Sequence, residues 1–129
     1  MPRWWFCPLL ILTLAGVLFA TAGDGEWLKK VPAKDRARPN PYANSADAIA
    51  AGARIFAENC AQCHGADAEG TMHRKQYRPN LHSDRIKDAQ PGELFWILTN
   101  GSLRNGMPSW SRLPEPQRWQ LVTYLKSLP

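Results

Sequence analysis

The chain has 129 residues, with 16 Lys and Arg against 11 Asp and Glu for a formal charge of +5. That length excludes a multidomain assembly and leaves room for one domain. The basic residues are interleaved with acids and accompany no nucleic-acid-binding motif, which argues against nucleic acid as a partner.

The chain opens on export machinery. Arg3 precedes a run from Trp4 to Gly23 without a charged side chain, and Ala20-Thr21-Ala22 offers the small-x-small pattern of a cleavage site. Residues 1–22 therefore read as a signal peptide cleaved after Ala22, which discards Cys7 with it. The alternative is an uncleaved anchor over residues 4–23, since the run just reaches the ~20 residues that cross a hydrocarbon core. Thr13, Gly16 and Thr21 dilute its apolarity and favour the signal peptide. Either reading delivers the rest of the chain to a periplasmic or other extracytoplasmic location, with membrane contact only if the leader is retained.

Residues 23–44 carry Pro32, Pro39 and Pro41 among mixed charges and read as an extended arm, with Trp27 and Leu28 as its apolar anchors. A single domain follows over residues 45–129. Ser45 is a candidate N-cap for a helix over 46–60, where Ala48, Ile49, Gly52, Ile55, Phe56 and Cys60 fall at helical spacing. Gly65 and Gly70 break regular structure, and a long polar loop is expected to Gln90. Pro91 suits the first position of a second helix, which Gly101 ends. The loop of Gly106, Met107 and Pro108 precedes a final helix over 116–128, with Leu121, Tyr124, Leu125 and Leu128 as its stripe. Three helices with loops this long bury little apolar surface by themselves, so a cofactor is expected to complete the core.

Chemistry concentrates in Cys60-Ala61-Gln62-Cys63-His64. Two thiols three positions apart are badly placed to staple a fold across a long loop, but C-x-x-C-H is the attachment signature of c-type haem. The thiols suit the two vinyl groups of a porphyrin, and the imidazole that follows suits its iron. A redox dithiol would need its nucleophilic cysteine at a helix N-terminus, whereas here the helix precedes the cysteines. Zinc would need a fourth ligand from His73 or His82, without the second regularly spaced pair that structural zinc sites draw on.

From Ser45 to Leu128 the chain resembles the class I cytochromes c. Gly52, Phe56 and Cys60 are spaced as in that family's first helix, and Leu121 with Tyr124 as in its last. The resemblance implies an all-α, small cytochrome c fold: three main helices and long loops wrapped around one covalently bound haem c. Pro79-Asn80-Leu81-His82 is similar to the family's loop in which a proline carbonyl accepts from the axial histidine, which makes Pro79 and Leu81 haem-site residues. Met107 matches the family's sixth ligand opposite His64, with Met72 and His73 as lesser alternatives. Phe95, Trp96 and Leu98 are expected to wall the pocket, with Trp110 and Trp119 nearby.

The resulting expectation is an electron carrier, not an enzyme, that serves redox proteins such as a dehydrogenase, a membrane respiratory complex or an oxidase. Some details resemble cytochromes associated with quinoprotein alcohol dehydrogenases. Arg74, Lys75, Arg78, Arg85 and Lys87 are candidates for a docking rim. A haem-based gas sensor or peroxidase-like domain is the alternative if the sixth ligand is absent.

Overall fold

The structure, a computed structural model, describes residues 25–129. The expected leader of residues 1–22 lies outside the described residues.

Helix formation starts where the apolar spacing demands it. After a one-turn helix α1 (Ala33–Arg36), α2 runs over Ala46–Asn59. The Ser45 hydroxyl accepts the Ala48 N–H at 3.2 Å, a cap worth about 1 kcal/mol. Ala48, Gly52 and Phe56, at intervals of one helical turn, are the residues α2 buries. Cys60 ends it, and a four-residue helix α3 (Ala61–His64) follows at once.

Between α3 and the next long helix lie a two-stranded antiparallel hairpin, β1 (Thr71–His73) and β2 (Gln76–Arg78), and a short helix α4 (Asp84–Asp88). The longer α5 (Pro91–Asn100) opens with a capping box, in which the Glu93 carboxylate accepts the Gln90 N–H at 2.7 Å. It buries Leu94, Phe95, Ile97 and Leu98. The last helix, α6 (Glu115–Ser127), buries Trp119, Leu121, Val122, Thr123 and Leu125.

The most extensive helix contact is α2 against α6. It is possible because Gly52 has no side chain: a Cβ there would run into the Gln120 carbonyl oxygen and come within 2.7 Å of Tyr124 Cβ. Phe56 and Tyr124 fill the crossing one turn on, with ring centroids 5.3 Å apart and tilted by 50°, a favoured aromatic geometry.

Two segments differ from expectation. The arm is not extended within its described part: Glu26–Lys30 is a 3-10 helix and α1 follows. The reason is electrostatic. Glu93 is buried on α5, and Arg36 reaches it at 3.1 Å while also donating to the Leu28 and Val31 carbonyls. A buried carboxylate without a cation is costly, so the chain folds back to supply one. Gly92 admits the Asp35 and Arg36 backbone against α5, and Arg38 pairs with Glu115 at 2.7 Å while lying 4.5 Å from the Phe95 ring centroid. The segment is a strap tied to α5 and α6.

The expected long loop contains the hairpin and α4. The β1–β2 turn places Arg74 at φ 48° and Lys75 at φ 63°, the conformation of a two-residue type I′ turn that Asn-Gly normally announces. Arg-Lys carries no such announcement.

Gly52→Ala is expected to lower stability by about 1–3 kcal/mol through overpacking at the crossing. Exposed Ala50→Gly on the same helix should cost only about 1 kcal/mol or less. Guanidinium unfolding of the two variants measures the difference.

Candidate functional site

A cavity of about 620 Å³ opens among α2, α5, α6, the hairpin and the loop before α6. That lies within the roughly 300–1,000 Å³ of pockets that take small molecules and cofactors. Phe56, Leu94, Leu98, Leu121 and Leu125 give it apolar walls, and Cys60, Cys63, His64, Pro79, Leu81 and Met107 line the same space. All six residues singled out from the sequence are thus brought together.

Each is positioned by local structure. The Cys60 N–H closes α2 on the Phe56 carbonyl at 2.8 Å, and the same residue starts α3, whose single turn carries Cys63 and His64. Thr71 Oγ1 donates to the Cys63 carbonyl at 2.5 Å, and the Gly70 N–H donates to the His64 carbonyl at 2.8 Å. Neither cysteine forms a disulfide. Burial, and secondarily Cys63, pushes the Cys60 thiol up to about 11. A thiol that holds its proton so firmly is a poor redox nucleophile, which disfavours the dithiol reading.

The His64 ring is oriented from one side. Its Nδ1 lies 3.2 Å from the Pro79 carbonyl oxygen; since a carbonyl only accepts, the hydrogen sits on Nδ1 and the Nε2 lone pair is left free. Burial holds the ring below the usual histidine range; the Pro79 bond opposes that shift and the charge of Arg78 adds to it. The ring is therefore neutral at neutral pH. His82 is engaged elsewhere, with Nε2 2.7 Å from the Asp67 carbonyl oxygen and Nδ1 3.2 Å from that of Pro129, so it does not complete a zinc site with the cysteines. The Leu81 N–H donates to the Ala68 carbonyl at 2.8 Å.

Met107 sits on a pinned loop. Its backbone exchanges both hydrogen bonds with Ser102, at 3.0 and 2.8 Å, after a 3-10 turn over Leu103–Asn105. The Trp110 N–H then ties the chain to the Leu98 carbonyl at 2.8 Å.

The pocket walls differ in part from expectation. Leu98 lines the cavity, but so do Leu94 and Ile97, whereas Phe95 and Trp96 do not. Phe95 instead stacks on Trp119, centroids 4.0 Å apart, beneath Arg38 and Arg118. Successive helical positions point about 100° apart, and the strap claims the face that Phe95 occupies. Trp110 lines the cavity, and so does Trp27 of the strap; sequence marked Trp27 only as an apolar anchor.

The lining fits a haem. The walls are apolar, an imidazole and a thioether are available as neutral iron ligands, and two thiols stand next to the imidazole in sequence. Arg78 adds an independent mark: Nη1 donates to the Asn105 carbonyl at 2.7 Å, but Nε is buried without a partner. Such a donor at a cavity wall calls for an acceptor from the ligand, and a haem propionate carboxylate meets that need.

Comparison with known proteins agrees. Residues 47–125 match the family described as cytochrome c oxidase, cbb3-type, subunit III. The cbb3-type cytochrome c oxidase subunit FixP of Sinorhizobium medicae (strain WSM419) is 40% identical over 79 residues, 60% of this chain and 26% of the relative. The subunit CcoP of Rubrivivax gelatinosus is 28% identical over 143 residues, 91% of this chain and 46% of the relative. The chain thus spans between about a quarter and just under half of these curated relatives. Among solved structures, cytochrome CL from the marine methylotroph Methylophaga aminisulfidivorans MPT superposes with a TM-score of 0.56 at 26% identity, covering 67% of this chain and 57% of that one.

Trp27 lies outside the matched residues, yet it closes part of the cavity. Trp27→Ala is expected to admit water and lower the reduction potential of the mature protein by tens of millivolts, because a wetter site favours the more highly charged oxidised metal. Spectroelectrochemical titration checks this; an unchanged potential would remove Trp27 from the site.

Proposed function

The chain belongs to the c-type cytochrome family described as cytochrome c oxidase, cbb3-type, subunit III, and on that premise we propose that it is an exported electron carrier with its iron held between His64 and Met107. Its fold is the small, mainly helical cytochrome c fold, its cofactor is covalently bound haem c, and its relatives place it in electron transport. The observation that carries the finer reading is the convergence of Cys60, Cys63, His64 and Met107 on one apolar cavity.

Bound there, haem c supplies a one-electron couple. Every other task falls to the chain. Cys60 and Cys63 would hold the porphyrin through thioether bonds, which fits their placement on the turn that ends α2. His64 would hold the iron through Nε2, and Pro79 fixes the ring and increases its basicity through Nδ1. Met107 offers a neutral thioether, which favours the reduced metal relative to a second histidine. Arg78 Nε would donate to a propionate carboxylate. The apolar walls exclude water. A methionine in the cavity with the histidine would leave no open site for a gas or peroxide, which favours a carrier over a sensor or peroxidase-like domain.

Export rests on the leader of residues 1–22, with residues 4–23 as a membrane anchor if it is retained. Among the described residues no helix is long and apolar enough to cross a membrane. The names of the curated relatives support redox partners in a cytochrome c oxidase complex; a dehydrogenase that delivers electrons is the partner implied by the resemblance read from the sequence.

Met107→Ala is expected to open the sixth position. The reduced protein should then bind carbon monoxide at neutral pH, lose the weak red methionine-to-iron band, and drop in potential by on the order of 0.1 V, within the ~0.8 V that axial ligation spans. An unchanged spectrum would eliminate Met107 as the ligand.

A further inference from the structure

We propose that His82 is a positioning residue for His64: it clasps the segment that carries Pro79 to the loop after the Cys-x-x-Cys-His motif, and the proton that completes this clasp is bound more tightly when the iron is reduced. The inference rests on the haem reading above and adds a pH-dependent control of the potential.

The segment from Arg78 to His82 and the loop from Gly65 to Gly70 are tied along their length. The His64 ring donates to the Pro79 carbonyl at 3.2 Å, the Leu81 N–H donates to the Ala68 carbonyl at 2.8 Å, and His82 Nε2 lies 2.7 Å from the Asp67 carbonyl oxygen. Gly70 packs so closely that a Cβ there would meet the Arg78 carbonyl oxygen. Asn80 Oδ1 accepts the His82 N–H at 2.8 Å, which turns the segment tightly between Pro79 and the ring. Ala68 is fully buried in the left-handed region at φ 62°, a conformation that crowds an L-residue. Held so, it aims two successive carbonyls at the same segment, that of Asp67 at the His82 ring and its own at the Leu81 N–H.

The His82 ring faces a second acceptor. Its Nδ1 lies 3.2 Å from the main-chain oxygen of Pro129, past the end of α6, an acceptor whether or not it carries a terminal charge. A neutral imidazole has one N–H, so one ring nitrogen would turn its lone pair on an oxygen; with a second proton the ring donates to both. Charge-assisted bonds of this kind are the stronger ones, and histidine is the side chain that exchanges a proton between about pH 5 and 8. The full clasp, from Asp67 through His82 to Pro129, therefore belongs to the protonated ring. The charged side chains on the elements around it are Asp67 and Glu69 on the loop, Asp84, Arg85, Lys87 and Asp88 on α4, and Lys126 on α6. Among the described residues none of them forms an ion pair with His82, and the Lys126 ammonium is held by the Ile86 and Ala89 carbonyls at 3.3 and 2.9 Å.

Pro79 connects the clasp to the iron. Its carbonyl fixes the His64 ring and tunes its basicity, and His82 stands on the same short segment. Oxidation adds a positive charge at the centre that His64 serves, which disfavours a further positive charge on His82. His82 therefore takes a fraction of a proton from solvent for each electron that reduces the iron and returns it on reoxidation, and by linkage the potential falls as pH rises. The half-buried ring is partly screened, which sets the coupling at roughly three-fold in proton affinity.

The test is the midpoint potential of the haem-loaded protein from about pH 5 to 8, with the His82 ring followed by NMR in both redox states. The wild-type potential should fall by about 28 mV, which is a three-fold difference in affinity at about 59 mV per ten-fold, and the ring should titrate at higher pH in the reduced protein. His82→Gln should abolish that fall, and H82K should hold the potential near its acid value throughout. His73→Gln, which removes the histidine other than His64 and His82, should leave the wild-type curve intact. A His82→Gln curve that follows the wild type would overturn the proposal and assign the dependence to another group, such as a propionate at Arg78. So would a His82 ring that titrates alike in both redox states, a reading made on wild-type protein and independent of how the variants fold. Failure of the haem reading would show differently, as a protein without haem.

Discussion

A side chain at Gly52 would have to push α6 away, because the helix passes so close that its backbone carbonyl at Gln120 occupies the space a Cβ would need. Much else is downstream of that contact. The crossing puts Phe56 of α2 and Leu121 of α6 on the same cavity wall, and it fixes the direction in which α2 delivers its C-terminal end. Cys60 stands at that end, and the turn of α3 then carries Cys63 and His64 onto the cavity. A helix pair held farther apart would leave the cysteines on a loop without a fixed direction. Packing at one glycine is in this sense a condition of the chemistry eight residues later.

The second constraint is where the cavity's polar atoms go. Apolar walls tolerate few unpaired polar groups, and the geometry supports an assignment for three of those that line this cavity. The His64 ring donates to Pro79, the Cys60 thiol keeps its proton in a buried site, and Arg78 holds Asn105 with one nitrogen while a second is left for a ligand acceptor. Axial ligation by His64 and Met107, thioether attachment at Cys60 and Cys63, and a propionate at Arg78 are one proposal in five parts, since all five side chains line the same space. Outside the cavity, Arg36 and Arg38 tie the strap down by placing guanidinium groups beside Glu93, Glu115 and the Phe95 ring.

Much of the architecture was legible in the sequence because it rests on strong local signals. The Ser45 cap, the four-residue spacing of Ala48, Gly52 and Phe56, Pro91 at a helix start and Gly101 at its end each act within one turn of chain, and the helices follow them closely. What was missed depends on contacts between distant segments. The strap folds because Arg36 answers Glu93, two residues far apart in sequence. The hairpin turns on Arg74 and Lys75, whose side chains give no hint of positive φ. Phe95 and Trp96 looked like pocket walls from the apolar run of α5, yet a run of five apolar or aromatic neighbours does not say which face meets the cavity; the strap and Trp119 decide that. Cys60, Cys63 and His64 were legible through their spacing, and Pro79, Leu81 and Met107 only through the family resemblance, whereas Trp27, Arg78 and Arg104 were assigned to the cavity wall by neither.

The account depends most directly on two sulfur atoms. Protein matured in a host able to attach haem should be analysed by intact mass together with thiol titration under denaturing conditions. The account predicts a chain heavier by one haem, with no reactive thiol at Cys60 or Cys63. A mass equal to that of the polypeptide, with both thiols free to react, would contradict it.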